Sequence, residues 1–193
     1  RSVALDLPPF TLVAATTRAN LLSGPLRSRF GASFKLDYYE QSDIERILAR
    51  SAEIMGIPIE PEATKLLAAA SRFTPRTANR LLRRSRDYAQ VNKEGSITAS
   101  VAKKTLELLE IDTLGLDPYD RRLLEAIMNK FHGGPVGLGT LAAALNDDKG
   151  NIEEVHEPYL MSIGLLIRTP AGRMVSDEAY RHLGKELPDA RLL

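Results

Sequence analysis

Residues 151–175 read NIEEVHEPYLMSIGLLIRTPAGRMV, and this stretch decides the class of fold. Its first part, Asn151 to Ile163, has the apolar spacing of a helix, while Leu165 to Thr169 and Arg173 to Val175 are short strand-like pieces. Pro170, Ala171 and Gly172 join them, and proline with glycine favours a tight turn. Upstream, Asp117-Pro118 places an N-cap before a helix-starting proline. The pattern then runs through a helix at Pro118 to Phe131, a Gly133-Gly134-Pro135 turn, a helix at Leu138 to Leu145 and a turn at Asp147 to Gly150. Three helices and a small hairpin spell a winged helix. In helix-turn-helix folds the later helix normally enters the major groove of DNA while a hairpin touches backbone.

Moving further outward, Asp112 to Asp117, with Gly115, reads as a linker. Before it the sequence keeps helical periods back to Ser42. Ser42-Asp43-Ile44-Glu45 fits a capping box, a serine with a glutamate three residues on, and Ile44, Ile47, Leu48, Ala52 and Met55 form one apolar face. Gly56 ends that helix. A second helix after Pro61 turns Ala63, Leu66, Leu67 and Ala70 inward, a third starts at Thr74-Pro75, and a fourth near Thr98 carries Val101, Leu106 and Leu109. Four short amphipathic helices between Ser42 and Ile111 predict a compact bundle.

At the start of the chain, Phe10 to Thr17 (FTLVAATT) is the kind of apolar run that forms a strand buried on both faces of a parallel sheet. Ser33 to Tyr39 alternates and reads as a second strand, with a helical turn or loop between. Two strands without neighbours imply that the rest of their sheet precedes Arg1, and a start without methionine reads as a piece of a longer chain. The expected fold is mainly α: the remnant of an α/β domain over residues 1–39, a helical bundle over 40–114, and a winged helix over 115–193.

Composition narrows function mostly by exclusion. The 193 residues are 44% hydrophobic and 26% charged, an ordinary balance for a water-soluble protein. There is no cysteine, which removes disulfides, thiolate metal sites and cysteine nucleophiles, and fits a reducing cytoplasm. No apolar run approaches the ~20 residues of a membrane-spanning helix. His132, His156 and His182 lack metal-ligand spacing and read as surface or turn residues. His132-Gly133-Gly134-Pro135 resembles an esterase oxyanion loop, but there is no G-x-S-x-G elbow to supply the nucleophile. The phosphate loop G-x-x-x-x-G-K-[ST] is absent too: the one Gly-Lys pair, Gly184-Lys185, is followed by Glu186.

Arginines remain as the bearers of chemistry. Arg27 and Arg29 follow the first expected strand, and a permanently charged, planar guanidinium suits phosphate oxygens; surface ion pairing is the alternative. Arg76 sits in the first turn of its helix, where the helix dipole mildly disfavours a cation. A residue placed against its local preference can serve something outside the helix. Arg80, Arg83, Arg84 and Arg86 follow on the same helix, as a solvated face or as a nucleic-acid or partner surface.

Three ordered blocks carry a family resemblance. LDLPPFTLVAATTRANLLSGPLRSRFG (5–31) resembles the strand, sensor-1 and arginine-finger block of the RuvB family. TPRTANRLLRRSRDYA (74–89) resembles its sensor-2 helix. GGPVGLGTLAAALN (133–146) with EPYLMSIGLLIRTPAGR (157–173) resembles its C-terminal winged helix. The family is one of AAA+ ATPases, so the resemblance implies the end of a nucleotide domain, a helical lid and a DNA-binding winged helix. It implies a catalytic role for Thr17 as sensor 1, with Thr16 the alternative, and for Arg29 as a finger reaching the neighbouring subunit's ATP. Arg76 matches sensor 2, with Pro75 beside it at the nucleotide. Arg168, Arg173 and Lys149 match the DNA-binding wing and the turn before the last helix.

The partners implied are Holliday junctions and duplex DNA, RuvA, RuvC, and identical subunits in a hexamer. ATP and Mg2+ are the implied cofactors of the full-length protein, neither expected to bind tightly to this chain alone. Residues 1–7 resemble the descending strand of a hairpin that binds RuvA. Two departures stand out. Phe73 replaces the usual glycine before Thr74-Pro75-Arg76, which predicts reduced backbone freedom and a ring near the adenine. Ala171 stands where the wing commonly has arginine, which predicts weaker wing binding. A winged-helix regulator without enzymatic activity accounts for residues 115–183 equally well, but not for the LVAATT and PLRSRFG segments. Another AAA+ protein, such as a clamp-loader subunit, shares the sensors but not the 157–173 block.

Overall fold

The computed structural model describes residues 8–16 and 18–187. The chain divides into two units, Arg1–Asp37 and Tyr38–Leu193.

In the first unit a 3-10 turn, Ala19–Leu21, leads to one helical turn, α1 (Gly24–Arg27). The Ser23 hydroxyl caps α1 by accepting from the Leu26 N–H at 3.4 Å. Neither expected strand forms. Residues 10–16 and 33–37 belong to no sheet, and Phe10, Leu12, Val13, Phe34 and Leu36 are exposed. The physical reason is that a strand exists only by pairing: an apolar run of the parallel-sheet type needs neighbours along both edges and layers on both faces.

The second unit holds two cores. The first belongs to a bundle of α2 (Gln41–Ile54), α3 (Pro61–Ala69), α4 (Pro75–Val91) and α5 (Ala99–Leu108). Ile44, Leu48, Leu67, Leu81, Leu82 and Ile97 are fully buried in it. Each helix start is set locally. Proline at the first position opens α3 and α4, and the Thr98 hydroxyl caps α5 through the Val101 N–H. The capping box expected at Ser42 is not used: α2 begins at Gln41, and its N-cap Glu40 makes no side-chain cap. Gly56, at φ +67°, does end α2.

The second core belongs to α6 (Pro118–Lys130), α7 (Leu138–Leu145), α8 (Lys149–Asn151) and α9 (Glu157–Ser162), followed by the hairpin β1 (Leu166–Thr169) and β2 (Gly172–Val175) and by α10 (Asp177–His182). Leu123, Leu124, Ile127, Leu141, Ile152 and Leu160 pack at its centre. The expected helix from Asn151 starts two residues earlier and is interrupted by a π turn, Ile152–His156, between α8 and α9. β1 and β2 pair antiparallel with Arg168 opposite Arg173. Val136 bridges β2 from its other side, exchanging backbone hydrogen bonds with Arg173 at 2.9 and 2.8 Å. The fold is thus mainly helical, with a small two-stranded wing.

Residues 112–117 do more than link the two cores. Asp112 accepts from the backbone N–H groups of Leu114 and Leu116, both at 2.9 Å. Leu114 packs on the winged-helix core, and Leu116 is buried within it. Gly115 has φ +76°, and a Cβ there would lie 2.6 Å from the Ala70 carbonyl oxygen. The expected linker is therefore a packed joint, because its polar backbone is satisfied and its apolar side chains are covered.

Candidate nucleotide edge and nucleic-acid interface

Thr74, the extended N-cap of α4, follows a turn at 71–73, and Pro75 and Arg76 occupy the first turn of the helix. Arg76 is exposed, and no ion pair or hydrogen bond engages its guanidinium among the described residues. The Tyr39 N–H donates to the Phe73 carbonyl at 3.3 Å, which brings the half-exposed Tyr39 to the entrance of the same helix. Tyr39 was not singled out by sequence, because its proximity to α4 arises from one backbone contact between distant segments. Arg76 and Pro75 give the start of α4 an edge with an exposed cation, a candidate nucleotide contact, but the sequence has no loop to cradle the phosphates.

The two residues before this edge turn the other way. Arg72 and Phe73 both have positive φ, +54° and +52°, an arrangement uncommon for large side chains. It points them at the winged helix. Phe73 packs against the winged-helix core. The Arg72 Nε donates to the Gly115 carbonyl at 2.9 Å, and its terminal nitrogen donates to Asp117 at 3.0 Å and to Asp120. Its guanidinium also lies 5.2 Å from the Tyr159 ring centroid, within cation–π range.

Asp120 is fully buried and also accepts from His156 Nδ1 at 2.7 Å. His156 stacks on Tyr119, with ring centroids 4.2 Å apart. It is therefore a core residue, and His182 bonds Asp112 at 2.8 Å in a half-buried setting; of the three histidines only His132 sits in an exposed turn. Burial alone would raise the Asp117 carboxyl, but the Asp120 N–H and the Arg72 charge outweigh it and hold Asp117 below its ordinary value. Burial pushes the Tyr159 hydroxyl up to about 12, against the opposing pull of Arg72. Asp117, Asp120 and His156 lie close enough to suggest a metal site, but the Arg72 guanidinium already binds both carboxylates.

The wing presents a different division of labour. Arg168 is half-exposed and reaches Glu153 at 3.0 Å. Arg173 is 8% exposed, and its Nε and terminal nitrogen meet the buried Glu157 at 2.6 and 3.1 Å. The Arg173 fork is filled, and it anchors β2 to α9. Lys149 is exposed at the start of α8. In the first unit Arg29 is exposed, its side chain has no partner among the described residues, and its backbone N–H donates to the Leu26 carbonyl at 3.2 Å. Thr17 and residues 1–7 lie outside the described residues; Thr16 accepts from the Arg18 N–H at 3.0 Å.

Comparison with known proteins covers almost the whole chain. Residues 1–36 match the model of the Holliday junction DNA helicase RuvB P-loop domain, residues 39–112 the RuvB AAA lid domain, and residues 113–184 the RuvB C-terminal winged helix domain. The structure resembles a point mutant of Thermotoga maritima RuvB at a TM-score of 0.89 and 47% identity, over 97% of this chain and 62% of that one. It resembles the Thermotoga maritima RuvB Holliday junction branch migration motor at 0.87 and 48%, over 93% of this chain and 60% of that one. The chain thus spans about three-fifths of these relatives.

Proposed function

The chain belongs to the RuvB family of Holliday junction DNA helicases, and from that premise we propose that it works as the lid and DNA-gripping part of an ATP-driven branch-migration motor. The family is one of ATP-hydrolysing DNA helicases. Residues 1–39 would end the ATPase core, residues 40–114 form the lid, and residues 115–193 form the winged helix.

The observation that carries this reading is the position of Arg76, three residues beyond a side chain seated in the winged-helix core. A motor must turn nucleotide state into movement of a DNA grip, and one short segment carries both contacts. Arg76 and Pro75 would touch the nucleotide, while Phe73 and Arg72 hold the winged helix. Arg29 would reach the neighbouring subunit's ATP, where a cation beside the transferred phosphoryl group stabilises developing charge; Thr17 would orient the attacking water. A finger acting in trans requires a head-to-tail contact, which closes into rings. A homo-hexamer around duplex DNA, in the cytoplasm with RuvA and RuvC as partners and ATP with Mg2+ as fuel, completes the proposal.

At the DNA, Arg168 and Lys149 would hold phosphates, and backbone contacts position a protein without reading sequence. The test is duplex binding by this chain on two unrelated sequences of equal length. The motor reading predicts equal affinities and equal salt dependence. Selective binding to one sequence would favour a regulator.

A further inference from the structure

The helix that enters the major groove in helix-turn-helix proteins is acidic here. Between Lys149 and Ser162 the one lysine or arginine is Lys149 itself, whereas the acids are Glu153, Glu154 and Glu157. Glu157 is buried on Arg173, and Glu154 is exposed beside Val155, which is 55% exposed. Lys149 is thus the one lysine or arginine this segment offers a phosphate, which leaves the wing as the surface to hold it.

On the wing, Arg173 is locked and Arg168 is not free either. Glu153 Oε1 lies 3.0 Å from the Arg168 terminal nitrogen and 3.7 Å from that of Arg173. The π turn at Ile152–His156 leaves Glu153 and Glu157 both facing the hairpin. The Arg168 pair is the breakable one, since its side chains are 52% and 42% exposed, compared with 10% and 2% for Arg173 with Glu157.

We propose that Glu153 is an internal competitor for the DNA phosphate at Arg168, and that it sets how tightly the wing grips duplex. The inference rests on the wing being the DNA contact. To reach a phosphate, Arg168 must leave the Glu153 carboxylate, so the contact forms at the cost of that pair. With a neutral residue at 153 nothing holds Arg168 back, and binding becomes tighter, most of all at low salt where the pair is least screened. A weak, self-limited grip suits a protein that must let go of DNA at every step.

The experiment is the Kd of this chain for a labelled duplex of mixed sequence, measured over a range of salt concentrations for Glu153→Gln, Arg168→Ala, the double variant and Glu154→Gln. Releasing an exposed ion pair should tighten low-salt binding by Glu153→Gln about twofold to fivefold. The gain should shrink as salt rises, because salt screens the exposed pair. It should vanish in the Arg168→Ala background. Unchanged affinity in Glu153→Gln, while Arg168→Ala weakens binding, would overturn the competition and leave the wing contact standing. If Arg168→Ala binds like the unmodified chain, the wing contact itself fails and takes the competition with it. Equal tightening by Glu154→Gln would reduce the effect to net charge and overturn it too.

Discussion

Arg72, in the turn between α3 and α4, donates to Asp120, a fully buried carboxylate in α6 of the winged helix. The pair joins two hydrophobic cores, and its neighbours reinforce it: Asp117 and Gly115 accept from the same guanidinium. Removing one member of a buried pair leaves the other charged and uncompensated. Arg72→Met should therefore destabilise the chain by about 3 kcal/mol and separate lid unfolding from winged-helix unfolding. Urea denaturation followed by probes in each core measures both. A loss below about 1 kcal/mol, with coincident transitions, would show that apolar packing alone joins the two.

The same cluster gives a pH dependence of definite sign. The folded Asp117 carboxyl titrates below its ordinary value of 3.8, so the charged form stabilises the fold. That contribution is complete above pH 3.8 and is lost as pH falls through the lower, folded value. Asp117→Asn keeps an N-cap but removes the charge. Its Tm deficit should be present at pH 7 and shrink towards zero as the pH drops below 3.8. A deficit that persists unchanged in acid would assign it to lost hydrogen-bond geometry.

Gly115→Ala tests the packed joint from the backbone side. The substitution meets both a left-handed φ and the Ala70 carbonyl, so it should cost about 2 kcal/mol or more. Gly24→Ala, where a Cβ meets nothing within 4 Å, is the matched control and should stay within about 0.5 kcal/mol. Equal effects at the two positions would contradict the packed joint.

The helices and the wing were readable because their signals are local: proline at helix starts, glycine at the end of α2, and period-3.6 apolar spacing in both cores. The strands of residues 10–17 and 33–39 were not, since strand formation depends on partners that a local pattern does not contain. The joint at 112–117 was misread for a related reason. A glycine with flanking aspartates has linker composition, and only the folded chain shows those aspartates bonded to Leu114, Leu116, Arg72 and His182. Burial of Arg173 was equally hidden, because Glu157 lies across a helix–hairpin contact. Arg76 stands out in the sequence by its position against the helix dipole, and the structure leaves it exposed there, whereas Tyr39 gives no local signal.

Arg76 offers a separation of structure from activity. It is exposed and unpaired among the described residues, at a helix end that mildly disfavours cations, so Arg76→Ala should leave the stability of this chain within about 0.5 kcal/mol of the unmodified value. In the full-length protein the same change should lower ATP hydrolysis and branch migration. Loss of stability without loss of hydrolysis would return Arg76 to a structural role.

The central claim is that this chain completes a neighbouring subunit's ATP site through Arg29. Its most direct test is steady-state ATP hydrolysis by the full-length protein carrying Arg29→Ala, with junction DNA present and nucleotide binding measured alongside. The account predicts that ATP affinity stays close to the unmodified value while turnover falls by about 10³ to 10⁵, the range for arginine fingers. Unmodified turnover in that variant would contradict it.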